Sequence, residues 1–185
     1  QAERIEEPEW ALRLEDAPPG PSLIIGNEFL DCMPIRQFVR GEDGWHEKLV
    51  GLSEADHLTF GLSAAIPGPE TDDEPGTVRE IAPSLESFMY EIERRLHEAP
   101  SRVLLIDYGY VRPEGADTLQ ALKNHKKVDP IETPGEADLT AHVDFARVAT
   151  LALNADLQVH GPISQGQFLR NLGIEVRAET LSNAN

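Results

Sequence analysis

The stretch Leu23-Ile24-Ile25-Gly26-Asn27-Glu28-Phe29-Leu30-Asp31-Cys32-Met33-Pro34 decides how the rest of the chain is read. Its apolar start predicts a buried strand over Ser22–Ile25. The strand ends abruptly in an Asn-Glu pair, and a turn stopped by Pro34 follows. In open α/β sheets, ligands bind just beyond the carboxyl ends of the strands. An amide and a carboxylate delivered to such an edge make Asn27, Glu28 and Asp31 candidate catalytic residues. The alternative is that Asn27 caps a turn and that Glu28 or Asp31 pairs with Arg36.

Upstream, residues 1–20 are acidic and polar, with Trp10 and Leu12 as expected anchors and a Pro/Gly loop over residues 17–21. Downstream, Ile35–Arg40 and Trp45–Leu52 flank Gly41-Glu42-Asp43-Gly44, a hairpin signal. Leu58, Phe60 and Leu62 alternate and predict a third strand within His57–Ala65. Pro67–Gly76, with three prolines and four acidic residues, reads as a surface loop. Ser84–Glu98 reads as a helix with Ser84 as N-cap and a stripe of Leu85, Phe88, Met89, Ile92 and Leu96. Pro100 stops it, and Arg102–Asp107 is a continuous apolar run of the kind found in central parallel strands. A helix followed by such a strand forms a crossover unit.

Thr118–Lys127 fits a strand or a short helix. Asp129–Gly135 is loop, Thr140–Ala155 has helical spacing, and Leu157–Ile163 reads as a strand. Ser164 with Gln167 forms a capping-box pattern that opens a helix ending at Gly173. The order is strand, hairpin insertion, helix, strand, helix, strand, helix. It predicts an α/β fold, the second half of a doubly wound sheet with a β-hairpin insertion.

A length of 185 residues suits one domain. The formal net charge of −17 disfavours nucleic acid and anionic membrane surfaces as partners, and is compatible with a basic protein. Cys32 is the one cysteine, so no intrachain disulfide forms and a reducing compartment is expected. No apolar run approaches the length of a membrane span.

Asp107-Tyr108-Gly109-Tyr110 leaves the second apolar strand, an acid and two aromatics placed to line the same crevice, with Asp107 and Tyr108 as candidate substrate contacts; a structural turn with Tyr108 partly buried is the alternative. Asp138, His142 and Asp144 supply acid/base groups or substrate contacts, unless Asp138 or Thr140 caps the next helix. Metal chemistry is disfavoured: His46-Glu47-Lys48-Leu49-Val50 lacks the second histidine of a zinc-protease helix. No histidine lies near Cys32 in sequence to activate it, and no Gly-x-Ser-x-Gly elbow is present. Among the 14 glycines no two are separated by a single residue, so there is no Gly-x-Gly. A nucleotide-type cofactor normally lies against such a glycine-rich turn, so this chain alone is expected to bind one poorly.

Residues 26–38, 105–110, 129–145 and 161–169 together resemble the MidA-type S-adenosylmethionine-dependent methyltransferases, in that family's order. The matching runs include Gly26-Asn27-Glu28-Phe29-Leu30-Asp31, Leu105-Ile106-Asp107-Tyr108-Gly109-Tyr110 and Pro134-Gly135-Glu136-Ala137-Asp138-Leu139-Thr140-Ala141-His142-Val143-Asp144-Phe145. The resemblance implies a Rossmann-like class I methyltransferase fold with S-adenosylmethionine as cofactor. It implies arginine methylation of a protein substrate, a subunit of respiratory complex I in the eukaryotic member. The implied location is the mitochondrial matrix in a eukaryote and the cytoplasm in a bacterium. The expected organisation is one domain over residues 1–185, the C-terminal part of a catalytic domain, with a β insertion at 35–65 and the cofactor-binding half absent. The alternative function is a non-enzymatic assembly or protein-binding module of the same fold. Its insertion would grip a partner, and its acidic loop at 70–74 would meet a basic surface.

Overall fold

The computed structural model describes residues 8–68 and 71–183. Eleven strands and four helices follow one another among these residues. They are β1 (Leu23–Asn27), β2 (Arg36–Arg40), β3 (Trp45–Leu52), β4 (Leu58–Leu62) and β5 (Val78–Ile81), then α1 (Ser84–Glu98). Next come β6 (Arg102–Ile106), β7 (Gly109–Tyr110), β8 (Gln120–Lys123), β9 (Lys126–Val128), β10 (Asp138–Thr140) and β11 (Val143–Asp144). The chain closes with α2 (Phe145–Asn154), α3 (Gln165–Asn171) and α4 (Ile174–Ser182).

The two apolar runs pair as parallel strands, Leu23 against Arg102 through Asn27 against Ile106. Their carboxyl ends therefore finish side by side. Strand side chains alternate between faces. Ile24, Val103 and Leu105 turn toward the core formed by Leu30, Leu85, Met89, Ile92, Val143 and Ala152. The opposite face is open: Leu23 is 80% exposed and Ile25 67%. The expectation of a strand buried on both faces is corrected here. Among the described residues β1 and β6 hydrogen-bond only to each other, and the core lies against one side. The other side is apolar surface of the type that a parallel sheet ordinarily covers.

The hairpin of β2 and β3 forms in register, Gln37 against Lys48 through Arg40 against Trp45, and β4 adds to β3. A fourth strand, β5, pairs with β2 antiparallel; it lies between the 67–76 loop and α1, where the sequence predicts no element. The sheet order is β4-β3-β2-β5. Arg36 forks onto Glu47 with both bonds at 2.7 Å, so it does not pair with Glu28 or Asp31. In the 67–76 loop, residues 69 and 70 lie outside the described residues, and Asp73 is held by Arg79.

Helix α1 lies where the apolar stripe predicts, with Leu85, Met89 and Ile92 buried. Pro83 occupies its N-cap, and Ser84 makes no capping bond because it is already the first helical residue. Trp10 and Leu12 do not anchor the N-terminal segment; they are 93% and 100% exposed. Leu14 packs on the core instead. Buried Arg95 of α1 donates to the carbonyls of Ala17 and Pro18, satisfying the irregular backbone there.

Between Thr118 and Val128 the ambiguity resolves as a hairpin. Lys123 pairs with Lys126 across Asn124 and His125, which sit at φ 52° and 60°. Two successive positive-φ residues fit a type I′ turn, which usually carries a glycine; its absence hid the signal. β10 joins β8 on the other side. The helical spacing from Thr140 overreaches, since residues 140–144 are extended and Asp144 caps α2 by accepting from the Arg147 amide at 2.9 Å. Leu157–Ile163 is not a strand: no neighbouring strand pairs with it among the described residues. Ser164 does cap α3, accepting from the Gln167 amide at 3.3 Å. None of the described helices is long and apolar enough to cross a membrane.

β7 and β11 form a short parallel pair, Gly109 against Val143. A Cβ at Gly109 would sit 2.0 Å from the Val143 carbonyl oxygen and 2.8 Å from its carbon and nitrogen. Backbone cannot yield as a flexible side-chain tip can. Gly109→Ala should therefore cost about 3 kcal/mol, read as a lower urea midpoint with unchanged slope; an unaltered midpoint would show that β11 need not approach so closely.

Candidate active site

Asp107 follows β6 and its carboxylate ties the two strand ends together. Oδ2 accepts from the amides of Leu30 (2.9 Å) and Asp31 (3.2 Å), and Oδ1 accepts from the amide of Tyr108 (2.9 Å). Three backbone donors that the turn would otherwise orphan are satisfied by one side chain. This is a positioning role, and it brings Asp107 to the same strand-end cluster as the residues after β1.

Glu28 stands at φ 47°, with its amide donating to the Ile106 carbonyl at 2.8 Å. A left-handed backbone is uncommon for a residue with a Cβ and tends to occur at functional sites. Asn27 and Glu28 are both exposed at the carboxyl end of β1. Asp31 lies deeper, 6% exposed. Its carboxylate accepts from the Tyr108 hydroxyl, and its carbonyl accepts from the Ala141 amide at 2.9 Å. The Tyr108 ring meets the His142 ring edge-on, with centroids 5.7 Å apart and planes at 82°. Asn27, Glu28, Asp31, Asp107, Tyr108 and His142 thus converge on the strand-end region. Asp138 does not: it is exposed on β10, paired in register with Leu122.

Beside this cluster is a groove of about 380 Å³, bounded by the turn after β1, β5, the start of α1, β7, β11 and the start of α2. Leu30, Met33, Ile81, Leu85 and Val143 give it an apolar floor. Asp31, Glu80, Glu86, Asp144, Tyr110 and His142 add polar groups, and Arg147 is engaged by Glu86. Apolar floor with carboxylate rim suits an extended cationic side chain, whose stem packs while its head meets charge. Tyr110 lines the groove, as its place in the Asp107–Tyr110 run led one to expect, whereas sequence reading missed Glu80 and Glu86 as lining residues. The short β-prone run Val78-Arg79-Glu80-Ile81 before Pro83 was a usable signal for Glu80. Glu86 carried no signal beyond its place in the first turn of α1.

Burial, followed by the hydrogen bond to Asp31, pushes the Tyr108 hydroxyl up to about 12 from its usual 10. Burial and the negative charges of Asp144 and Glu80 push Tyr110 to about 12 as well. Tyr108 is therefore a donor, not a base, at neutral pH. Because its pKa is raised on folding, the stabilisation it lends is complete below about pH 10 and lost as pH rises through about 12. Tyr108→Phe should cost about 1–2 kcal/mol near neutrality, leaving buried Asp31 short of a donor. It should also remove part of the fall in stability between about pH 10 and 12; urea unfolding at stepped pH checks both, and an unchanged alkaline slope would refute the raised pKa of Tyr108.

Known proteins resemble this chain over most of its length. Residues 1–163 match the family model described as "Putative S-adenosyl-L-methionine-dependent methyltransferase". A Caenorhabditis elegans protein named protein arginine methyltransferase NDUFAF7 homolog, mitochondrial, is 37% identical over 180 residues, covering 93% of this chain and 42% of that protein. The Homo sapiens protein arginine methyltransferase NDUFAF7, mitochondrial, is 33% identical over 177 residues, covering 93% and 40%. A Burkholderia thailandensis crystal structure bound to S-adenosyl-homocysteine superposes with TM-score 0.71 at 28% identity, covering 85% of this chain and 44% of that one. A second, native structure from the same organism gives TM-score 0.73 at 29% identity. The chain spans less than half the length of these relatives. Its α/β architecture is that of a Rossmann-like methyltransferase fold, and the chain belongs to this S-adenosyl-L-methionine-dependent methyltransferase family.

Proposed function

We propose that this chain forms the acceptor side of a protein arginine methyltransferase, with the cofactor side supplied by a part of the protein outside these 185 residues. The observation that carries this reading is the strand-end arrangement. Asn27 at the carboxyl end of β1 and Glu28 just after it are exposed, and the turn that continues from them lines an acidic, apolar-floored groove with Leu30 and Asp31. A guanidinium pairs with a carboxylate through two parallel N–H···O bonds, which also fixes its plane. Glu28 holds the acceptor guanidinium in this way and Asn27 orients it. Asp31, kept in place by Tyr108 and the Ala141 amide, adds fixed negative charge nearby. Arginine's very high pKa makes this positioning more important than prior deprotonation.

S-adenosylmethionine, the family's cofactor, supplies the methyl group. The two glycines at the strand ends, Gly26 and Gly109, do not offer it a cradle. Gly26 has Leu105 Cδ2 3.1 Å and Phe29 Cβ 3.5 Å from where a Cβ would be, and the space at Gly109 is filled by the Val143 backbone. Neither glycine leaves backbone open to a ligand.

The protein acceptor indicated by the family resemblance is a respiratory complex I subunit. The matching location is the mitochondrial matrix in a eukaryote or the cytoplasm in a bacterium. A second reading, a non-enzymatic binding module, is favoured by one observation. Val50, Leu52, Leu58 and Leu62 are exposed and share one face of the β3–β4 hairpin. A stable complex with a subunit partner, formed without methyl transfer by the full-length protein, would favour that reading.

Calorimetric titration of S-adenosylhomocysteine should show binding to the full-length protein and little to this chain alone; equal affinity for both would refute the division into two sides. In the full-length protein, Glu28→Gln should lower methyl transfer to an arginine peptide by about a hundredfold or more, while S-adenosylhomocysteine affinity persists. Unchanged turnover would remove Glu28 from the site.

A further inference from the structure

The insertion sheet reaches the active site through one chain of hydrogen bonds. Glu80, on β5, is directly opposite Gln37 of β2, which is itself buried. Glu80 Oε1 accepts from Gln37 Nε2 at 2.7 Å and from the Thr118 amide at 3.0 Å. Glu80 Oε2 accepts from the Thr118 hydroxyl. The Thr118 hydroxyl in turn accepts from the His142 amide at 2.9 Å. Next to this, Asp117 accepts from Gln37 Nε2 at 2.6 Å and from Lys48 Nζ at 2.6 Å, fastening the same loop to β2 and β3.

The direction of these bonds is set by the donor inventory. A threonine hydroxyl has one proton and two lone pairs. A carboxylate only accepts, so the proton goes to Glu80 and a lone pair remains for the His142 N–H. The far side of the same backbone stretch is held by the bond from the Ala141 amide to the Asp31 carbonyl. His142 then sets its ring against Tyr108, whose hydroxyl donates to Asp31. Residues 141–142 are thus pinned from two sides, by Asp31 from the strand end and by Thr118 from the insertion.

We propose that Thr118, keyed by Glu80 of the insertion sheet, is a positioning residue for the acceptor side of the site. It acts by fixing the backbone of His142, and through it the His142–Tyr108–Asp31 group, without touching the substrate. The insertion is then part of the catalytic apparatus rather than an appendage, and what holds its sheet together also sets the geometry of the groove. This inference rests on the methyltransferase reading above and goes beyond it in naming a residue outside the strand ends.

The test uses the full-length protein with Thr118→Val, which keeps shape but removes the hydroxyl, and Thr118→Ser, which keeps the hydroxyl. Initial rates on an arginine peptide, calorimetric affinity for S-adenosylhomocysteine and thermal melting are measured together. Thr118→Val should lower kcat/KM for the peptide about tenfold, with cofactor affinity within about twofold and Thr118→Ser close to the parent. A uniform structural loss would instead weaken cofactor affinity along with kcat/KM. That result, or peptide kinetics unchanged in Thr118→Val, would overturn the proposal. If the parent protein methylates no arginine peptide, the arginine-methylation reading itself fails. The clamp is then judged by amide hydrogen exchange at His142: faster exchange in Thr118→Val but not Thr118→Ser sustains it, and equal exchange in all three removes it.

Discussion

The carboxylate of Asp107 is the constraint on which the rest of the arrangement depends. It stands at the end of β6 and accepts from the backbone amides of Leu30, Asp31 and Tyr108. A parallel strand pair by itself aligns only β1 with β6. The chain beyond β1 could leave in many directions, and its turn amides would need water. By satisfying them, Asp107 fixes that turn so that Leu30 enters the core and Asp31 reaches the Tyr108 hydroxyl. Hydrogen bonds to an ionised acceptor are the stronger kind, which suits a group that must define the shape of a site edge.

From that fixed turn the site grows outward through short backbone links. Val143 donates to the Tyr108 carbonyl at 3.0 Å, and Ala141 donates to the Asp31 carbonyl. β7 and β11 pair closely because position 109 has no Cβ. The groove therefore has walls from elements far apart in the chain, with β5 on one side and β11 and α2 on the other. Its charge follows the acidic balance of the whole molecule, −17 in formal terms. Much of that acidity is engaged locally, as with Glu47 on Arg36 and Asp73 on Arg79. The carboxylates of Asp107 and Asp31 at the strand ends are held by neutral donors instead.

Where hydrophobic periodicity and burial coincided, the fold was legible. α1 follows its stripe because Leu85, Met89 and Ile92 recur at helical spacing and all meet one core. The β2–β3 hairpin follows its glycine turn, and β6 its apolar run. Errors arose where a partner far away in the chain decided the outcome. Leu157–Ile163 has strand-like composition, but Leu157 packs on the core and no strand stands beside the segment among the described residues. Residues 140–144 have helix-compatible spacing, yet β8 and β7 claim their backbone groups. Trp10 and Leu12 look like anchors by size alone, whereas Leu14 and the buried guanidinium of Arg95 hold that segment.

The candidate site divides in the same way. The sequence by itself determined that polar residues would end two apolar strands, since an apolar run followed by Asn27-Glu28 or Asp107-Tyr108 reads directly from local order. It also determined that the chain contains no Gly-x-Gly turn. Only the tertiary structure decided that Asp107 serves the backbone while Asp31 faces Tyr108, and that His142 joins them whereas Asp138 remains on an outer strand. Those roles depend on which donors approach each carboxylate from segments tens of residues away. Hydrogen bonds act over about 3 Å, so nothing in local order assigns them until the fold has brought the partners together.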